Sequence, residues 1–259
     1  MSLVHNPSLQ QHCFTMKTYA TFCILLVCFQ LAGGDKIIGG HEARPHSHPY
    51  MAFLYLQKGE NSEQCGGFLI REDFVLTAAH CDAGNIKVVL GGHCITCQEE
   101  SQQVINVIKR VLHPKYRTLN HDIMLLKLEK NATLNNNVTL LPIPPKYFRI
   151  PPGTICSIAG WGATSHFPVQ QNGRLQETNV TLLNWDECKD QYGKVFTYKM
   201  LCAGNAEHEA YEGDSGGPLV CRGLASGIVS FTSVIRGQAT VFTNVYTYRD
   251  WIKKVLESN

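Results

Sequence analysis

After Ile37 the chain runs in short apolar or alternating stretches: YMAFLYL, GGFLI, FVLTAA, IKVVLGG, QQVINVIKRVL, IMLLKL, TICSIAGWG, RLQETNVTLL, GPLVC, GLASGIVSF and TVFTNV. Each has the length of a strand, and Gly, Pro and Asn punctuate the gaps, so the pattern predicts antiparallel strands rather than helices. Many short strands of this kind build an all-β barrel or sandwich. A proline-rich stretch from Leu141 to Gly153, LPIPPKYFRIPPG, interrupts the series near its middle and predicts a surface linker between two β-lobes. Only Tyr248 to Leu256 has helical spacing, with Trp251, Ile252, Val255 and Leu256 on one stripe and Lys253 and Lys254 facing water. That segment is expected to dock as a terminal helix.

Ahead of the strands, Lys17 is followed by an uncharged run from Tyr19 to Ala32 with FCILLVCF at its centre. The run is too short for a bilayer span and suits a cleaved secretory signal, with the small residues Ala32 and Gly34 placed for cleavage after Gly34. The alternative is a buried helix of the folded domain. Against it stand the cysteine-rich composition, the Gly-Gly break and the internal Met16 as a start. The first fifteen residues read as an extension from an upstream start and carry no legible signal.

Secretion changes the meaning of the eleven cysteines, because outside the cytosol they pair as disulfides. Cys13, Cys23 and Cys28 would leave with the signal. The sequons at Asn131, Asn137 and Asn179 fit the same route as glycosylation sites. At 259 residues, 44% hydrophobic and 17% charged, the chain has enough apolar material for a core. A net charge of +2 gives no electrostatic case for nucleic acid as a partner.

Three strings carry chemistry. GDSGGP at 213–218 sets Ser215 between an acid and two glycines that let backbone approach a substrate, but a serine hydroxyl is a poor nucleophile until a base takes its proton. TAAHC at 77–81 supplies His80 at the end of an apolar strand. NHDIMLLKL at 120–128 supplies Asp122 at the head of a buried run, where a carboxylate is costly unless an imidazole N–H compensates it. Any one histidine of the eleven is more often a surface or satisfied core residue than a catalyst; the joint pattern is what carries weight.

Those strings, in the order His, Asp, Ser, resemble the chymotrypsin-like serine proteases over essentially the whole stretch from Ile37 to Leu256. The resemblance implies an all-β fold of two antiparallel six-stranded barrels packed together with a C-terminal helix, the barrels dividing at about residues 145–146. It implies that Ser215 attacks the peptide carbonyl, His80 relays the proton, Asp122 holds the imidazole, and the backbone N–H groups of Gly213 and Ser215 form the oxyanion hole. No cofactor or metal is needed, and Gly92 stands where calcium-binding relatives carry a glutamate. IIGGHEARPHSHPYMAFL is similar to the mature start of the granzyme, cathepsin G and chymase branch. By that likeness residues 35–36 are an activation dipeptide, 37–259 the peptidase domain, and the freed amino group of Ile37 pairs with Asp214. Lys36 also permits a trypsin-like activator.

The family pattern pairs Cys65 with Cys81, Cys156 with Cys221, and Cys188 with Cys202, each bond worth about 2–4 kcal/mol. Tyr211 stands where many relatives have a further cysteine. Cys94 and Cys97 depart from the pattern: a lone C-x-x-C is weak as a redox or zinc site, which leaves an intraloop disulfide or an intermolecular link. Likeness to the branch implies granule storage or secretion, protein or peptide substrates, an activating protease, serpin-type inhibitors and a monomer with no membrane span. Two rivals exist. A protease-like binding protein would show a substituted His or Ser, and an esterase would need alternating helices.

Specificity rests on pocket positions carried over from the family. Glu209 would lie at the base and Thr232 and Thr240 would line the walls, with Ser230 a further substrate-binding residue. The carboxylate favours Lys or Arg before the cut bond. The bulk of Thr232 and Thr240 favours small to medium aliphatic side chains, and steric exclusion takes precedence.

Overall fold

The apolar runs fold as strands in a computed structural model that describes residues 40–162, 173–204, 210, 213–232 and 238–259. The chain divides into two units, Met1–Asp35 and Lys36–Asn259, the first lying outside the described residues.

Six antiparallel strands close the first barrel: β2 (Met51–Lys58), β3 (Asn61–Arg71), β4 (Phe74–Thr77), β5 (Asn85–Leu90), β6 (Gln103–Leu112) and β7 (Met124–Leu128), in the order β2-β3-β4-β7-β6-β5. Closure removes the exposed edges that an open sheet would leave. Leu54, Phe68, Phe74, Leu76, Ile105 and Leu125 fill its interior. Strand β6 shows the half-buried alternation expected of a barrel wall, with Ile105 inside and Val104 and Ile108 outside.

The second barrel uses β8 (Ile155–Gly160), β9 (Gln176–Thr181), β10 (Met200–Ala203), β11 (Pro218–Cys221), β12 (Leu224–Phe231) and β13 (Thr240–Asn244), in the order β9-β8-β11-β12-β13-β10. The ring closes past the end of β9, where Leu182 bridges Ala203, Leu183 N–H donates to Cys202 O at 3.0 Å and Gly204 N–H to Thr181 O at 3.1 Å. A seventh strand, β1 (His41–Glu42), lies outside β9. Glu177 of β9 takes His41 Nε2 at 3.2 Å and His48 Nε2 at 2.5 Å, so the segment that follows Ile37 is fastened to the second barrel before the chain crosses to the first.

The proline-rich stretch forms no strand and passes between the barrels, bonded to both: Leu141 N–H to Leu69 O at 2.8 Å, and Ala225 N–H to Pro142 O at 3.0 Å. The terminal helix α2 (Arg249–Glu257) inserts Ile252 and Val255 into the cluster that also holds the first barrel's Phe74 and Leu76. A second helix, α1 (Trp185–Tyr192), was not expected from hydrophobic spacing, since only its Cys188 is buried. A capping box starts it: Asn184 Oδ1 accepts from Glu187 N–H at 2.9 Å and Glu187 Oε2 from Asn184 N–H at 2.8 Å.

Among the described residues four disulfides join Cys65 to Cys81, Cys94 to Cys97, Cys156 to Cys221 and Cys188 to Cys202. The second lies within the loop between β5 and β6, one of the two alternatives left open by the sequence. Among the described residues no helix is long and apolar enough to cross a membrane.

Candidate active site

The site forms where the two barrels meet. Strand β4 leads into a single 3-10 turn, Ala79–Cys81, which carries His80, while the Cys65–Cys81 bond ties the far side of that turn to β3. Asp122 sits at the entry to β7 and is 1% exposed. Its Oδ1 accepts the His80 backbone N–H at 2.9 Å and its Oδ2 the His80 Nδ1–H at 2.8 Å. Both bonds fix the imidazole, and the second puts the ring proton on Nδ1, because a carboxylate only accepts. Nε2 is left without a hydrogen bond among the described residues and faces the cleft.

Two residues of the second barrel complete the surroundings of Asp122. Ser230 Oγ donates to Oδ2 at 2.5 Å, and Thr243 Oγ1 donates to the Asp122 backbone carbonyl at 2.8 Å. The buried carboxylate therefore has three donors on its side chain, which offsets its desolvation. Ser230, expected among the substrate-binding residues, commits its hydroxyl to Asp122.

Ser215 reaches the same cleft from the other side. The cleft has a volume of about 500 Å³ and is lined by His80, Gly213, Ser215, Gln64, Phe53 and Tyr55 among others. Gly213 at φ +98° and Gly216 at φ +81° hold backbone conformations that L side chains rarely adopt, and a Cβ on Gly216 would meet Gly66 O at 2.5 Å. Ser215 O accepts Gly66 N–H at 2.7 Å across the barrel interface, fixing the serine loop to β3. Neither the Gly213 nor the Ser215 N–H makes a hydrogen bond among the described residues. Two unused donors on adjacent turns of a glycine-rich loop are what an oxyanion requires.

Asp214, 3% exposed, points away from the cleft. Its Oδ1 accepts Gly162 N–H at 2.9 Å, and the carboxylate lies so close to Gly162 that a Cβ there would meet Oδ2 at 2.7 Å. Its expected partner Ile37 lies outside the described residues.

Glu209, the expected base of the specificity pocket, also lies outside the described residues, as does Tyr211 at the position where relatives have a further cysteine. The two wall threonines both turn onto Ala210: Thr232 Oγ1 donates to Ala210 O at 3.2 Å, and Thr240 Oγ1 accepts Ala210 N–H at 3.2 Å. The sequons are accessible at Asn131 and Asn179 and half-buried at Asn137. Among the described residues one cluster has metal-ligand proximity, Cys65, His80 and Cys81, but both sulfurs are consumed in their mutual bond.

A cleft at the junction of two β-barrels, with an Asp-held imidazole facing a serine on a glycine loop, defines a chymotrypsin-like hydrolase. Residues 37–252 match the family model described as Trypsin. The chain is 45% identical to a chymase of Papio hamadryas over 242 residues, covering 91% of this chain and 96% of the relative. It is 43% identical to a cathepsin G of Mus musculus, covering 90% and 91%, and 42% identical to a granzyme B of Rattus norvegicus, covering 91% and 98%. A solved structure described as "Structure of GrC" superposes with a TM-score of 0.82 at 40% identity, covering 85% of this chain and all of that one. The chain belongs to the trypsin family, as a serine endopeptidase of the branch that holds the chymases, cathepsin G and the granzymes.

Proposed function

We propose that this chain is a secreted peptidase made as a zymogen, in which Ser215 is the nucleophile, His80 the general base and then acid, and Asp122 the group that orients the imidazole and stabilises the imidazolium. The observation that carries the reading is the pairing of an Nδ1-anchored His80, its Nε2 free, with Ser215 on one cleft. Substrate binding would shut water out and draw the Ser215 hydroxyl onto Nε2; such bonds often tighten only in the substrate complex. Attack on the carbonyl transfers the Ser215 proton to His80, and the oxyanion takes the N–H groups of Gly213 and Ser215. Collapse expels the amine with the His80 proton, and water then repeats the sequence to free the acid.

Activation follows from Asp214. Exposure of Ile37, after removal of the signal and the 35–36 dipeptide, would deliver a cation to a buried carboxylate that already abuts Gly162. The pairing would set the Gly213–Ser215 loop. Secretion, storage in granules, glycans at Asn131, Asn137 and Asn179, inhibition by serpins and a monomeric state complete the reading, supported by the leader-like run, the disulfides and the branch.

Residue preference before the cut bond is for small to medium aliphatic side chains. Thr232 and Thr240 both bond Ala210, and their bulk at the expected wall positions supports the exclusion of long side chains. A serine-directed phosphonate probe tests the central claim: it should label the Ile37-terminated wild type at Ser215 and leave Ser215→Ala unlabelled. Labelling at another residue would overturn the assignment.

A further inference from the structure

One of the four disulfides differs from the other three. Cys65, Cys81, Cys156, Cys221, Cys188 and Cys202 are all buried, none more than 4% exposed, and their bonds span 16, 65 and 14 residues. Cys94–Cys97 spans three residues, and Cys97 is exposed while Cys94 is buried. Short loops contribute little closure entropy, and a thiolate arriving from solvent meets Cys97 first.

The loop that this bond shapes is a docking element. Cys94 bridges Arg174, Ile95 N–H donates to Gly173 O at 2.8 Å, and His93 O accepts both Leu175 N–H at 2.9 Å and Trp161 Nε1–H at 3.0 Å. Within the loop, Cys97 N–H returns to Cys94 O at 3.2 Å, Glu99 accepts the His93 and Cys94 N–H groups, and Gln102 Nε2 donates to both cysteine carbonyls. Trp161 immediately precedes Gly162, whose N–H holds Asp214 next to Ser215.

We propose that Cys94–Cys97 is a thiol–disulfide exchange site, at which an external dithiol reduces this chain ahead of its other disulfides and releases the loop from the 173–175 segment and Trp161. One thiolate of the dithiol attacks Cys97 Sγ, the Cys94–Cys97 bond breaks, and Cys94 leaves as a thiolate that takes up a proton. Thr96 Oγ1, 3.5 Å from Cys94 Sγ, can donate to the departing sulfur. The second thiolate of the dithiol then attacks its own mixed disulfide, freeing Cys97. Two electrons pass to the cysteine pair and the dithiol departs as its disulfide. On the peptidase reading, which this consequence rests on, the loosened Trp161–Gly162 segment lowers kcat/KM by about two- to thirtyfold.

The test uses the oxidised chain processed to Ile37 in graded ratios of reduced to oxidised dithiothreitol, quenched with an alkylating reagent and mapped by peptide mass. Cys94 and Cys97 are expected to be labelled while the other six half-cystines remain protected, and the Ile95 and Leu175 amides to exchange hydrogen faster in that partly reduced form. The double variant Cys94→Ser, Cys97→Ser should match the partly reduced wild type in exchange and hydrolysis and ignore the reductant. Labelling of any other half-cystine before or together with this pair, or unchanged amide exchange and hydrolysis after selective reduction, overturns the proposal. Wild-type measurements decide the matter even if the variant fails to fold. Oxidised enzyme that cleaves no peptide would instead overturn the peptidase reading, with the thiol map still deciding the exchange site.

Discussion

Ser230 Oγ lies 2.5 Å from Asp122 Oδ2, so a hydroxyl from the second barrel closes the shell around a carboxylate supplied by the first. Hydrogen bonds to buried charged groups are worth about 1.5–3 kcal/mol. Ser230→Ala should therefore lower kcat/KM by about ten- to a hundredfold, with KM nearly unchanged, because the imidazolium that forms in the transition state loses part of its counter-charge. Steady-state kinetics on a peptide substrate checks this. An unchanged kcat would mean that Asp122 is held well enough by His80 alone.

Ser215→Ala and His80→Ala should each remove about a millionfold of turnover, and the double variant should lose no more than either, since the triad acts as a unit. Ser215→Ala should melt like the wild type, because its side chain belongs to no core cluster, whereas His80→Ala should stay folded but melt lower, because the buried Asp122 loses one of its three donors. Single-turnover hydrolysis with parallel thermal melts separates loss of chemistry from loss of fold.

Much of this was legible because the chemistry sits in short strings. TAAHC, DIMLLKL and GDSGGP each place one reactive group at the edge of an apolar strand, and the strands that present them were readable as runs. Strand β10 was not, because MLCA is four residues long and follows a helix with no apolar stripe. That helix was invisible to spacing for the same reason, although its Asn184–Glu187 box was there to be read. The roles of Ser230, Thr232 and Thr240 depend on which way each hydroxyl turns inside a strand-lined interior, a matter of tertiary packing.

The activation pair makes a separate claim. Asp214→Asn should abolish most peptidase activity even in a chain correctly processed to Ile37, and a precursor that retains residues 35–36 should be inactive. Amino-terminal sequencing alongside an activity assay tests both, and full activity in an unprocessed precursor would end the idea.

In the specificity pocket, Thr232→Gly removes the side chain whose hydroxyl bonds Ala210 O. Cleavage after Lys or Arg should rise about tenfold, equivalent to about 1.4 kcal/mol of barrier. A peptide library cut by both enzymes reads the change. A wild-type enzyme that already prefers basic residues by that margin would assign specificity to Glu209 instead.

His113 contributes to the pH dependence of stability. Burial, followed by the charges of His121, Lys199 and Lys115, pushes its pKa down from 6.5 to about 4, while its ring stacks on that of His121 at 4.8 Å. The folded state thus binds this proton less readily than the unfolded chain. The stability is fully present above the unfolded value of 6.5 and is lost as the pH falls toward about 4. Melting temperatures measured between these limits should fall less steeply in His113→Gln than in the wild type. Parallel slopes would show that the stacked pair does not govern acid sensitivity.

The placement of α2 also bears on how the molecule is made. Ile252 and Val255 sit in the same cluster as Phe74 and Leu76, and Arg71 Nη1 donates to Leu256 O at 2.5 Å. The barrel synthesised first thus borrows part of its interior from a helix that leaves the ribosome after both barrels have been translated. Until then it presents a greasy, unfinished face to its surroundings. Damage to α2 should therefore surface as a biogenesis defect in the amino-terminal barrel, with chaperone retention and poor yield, well away from the sequence that was altered.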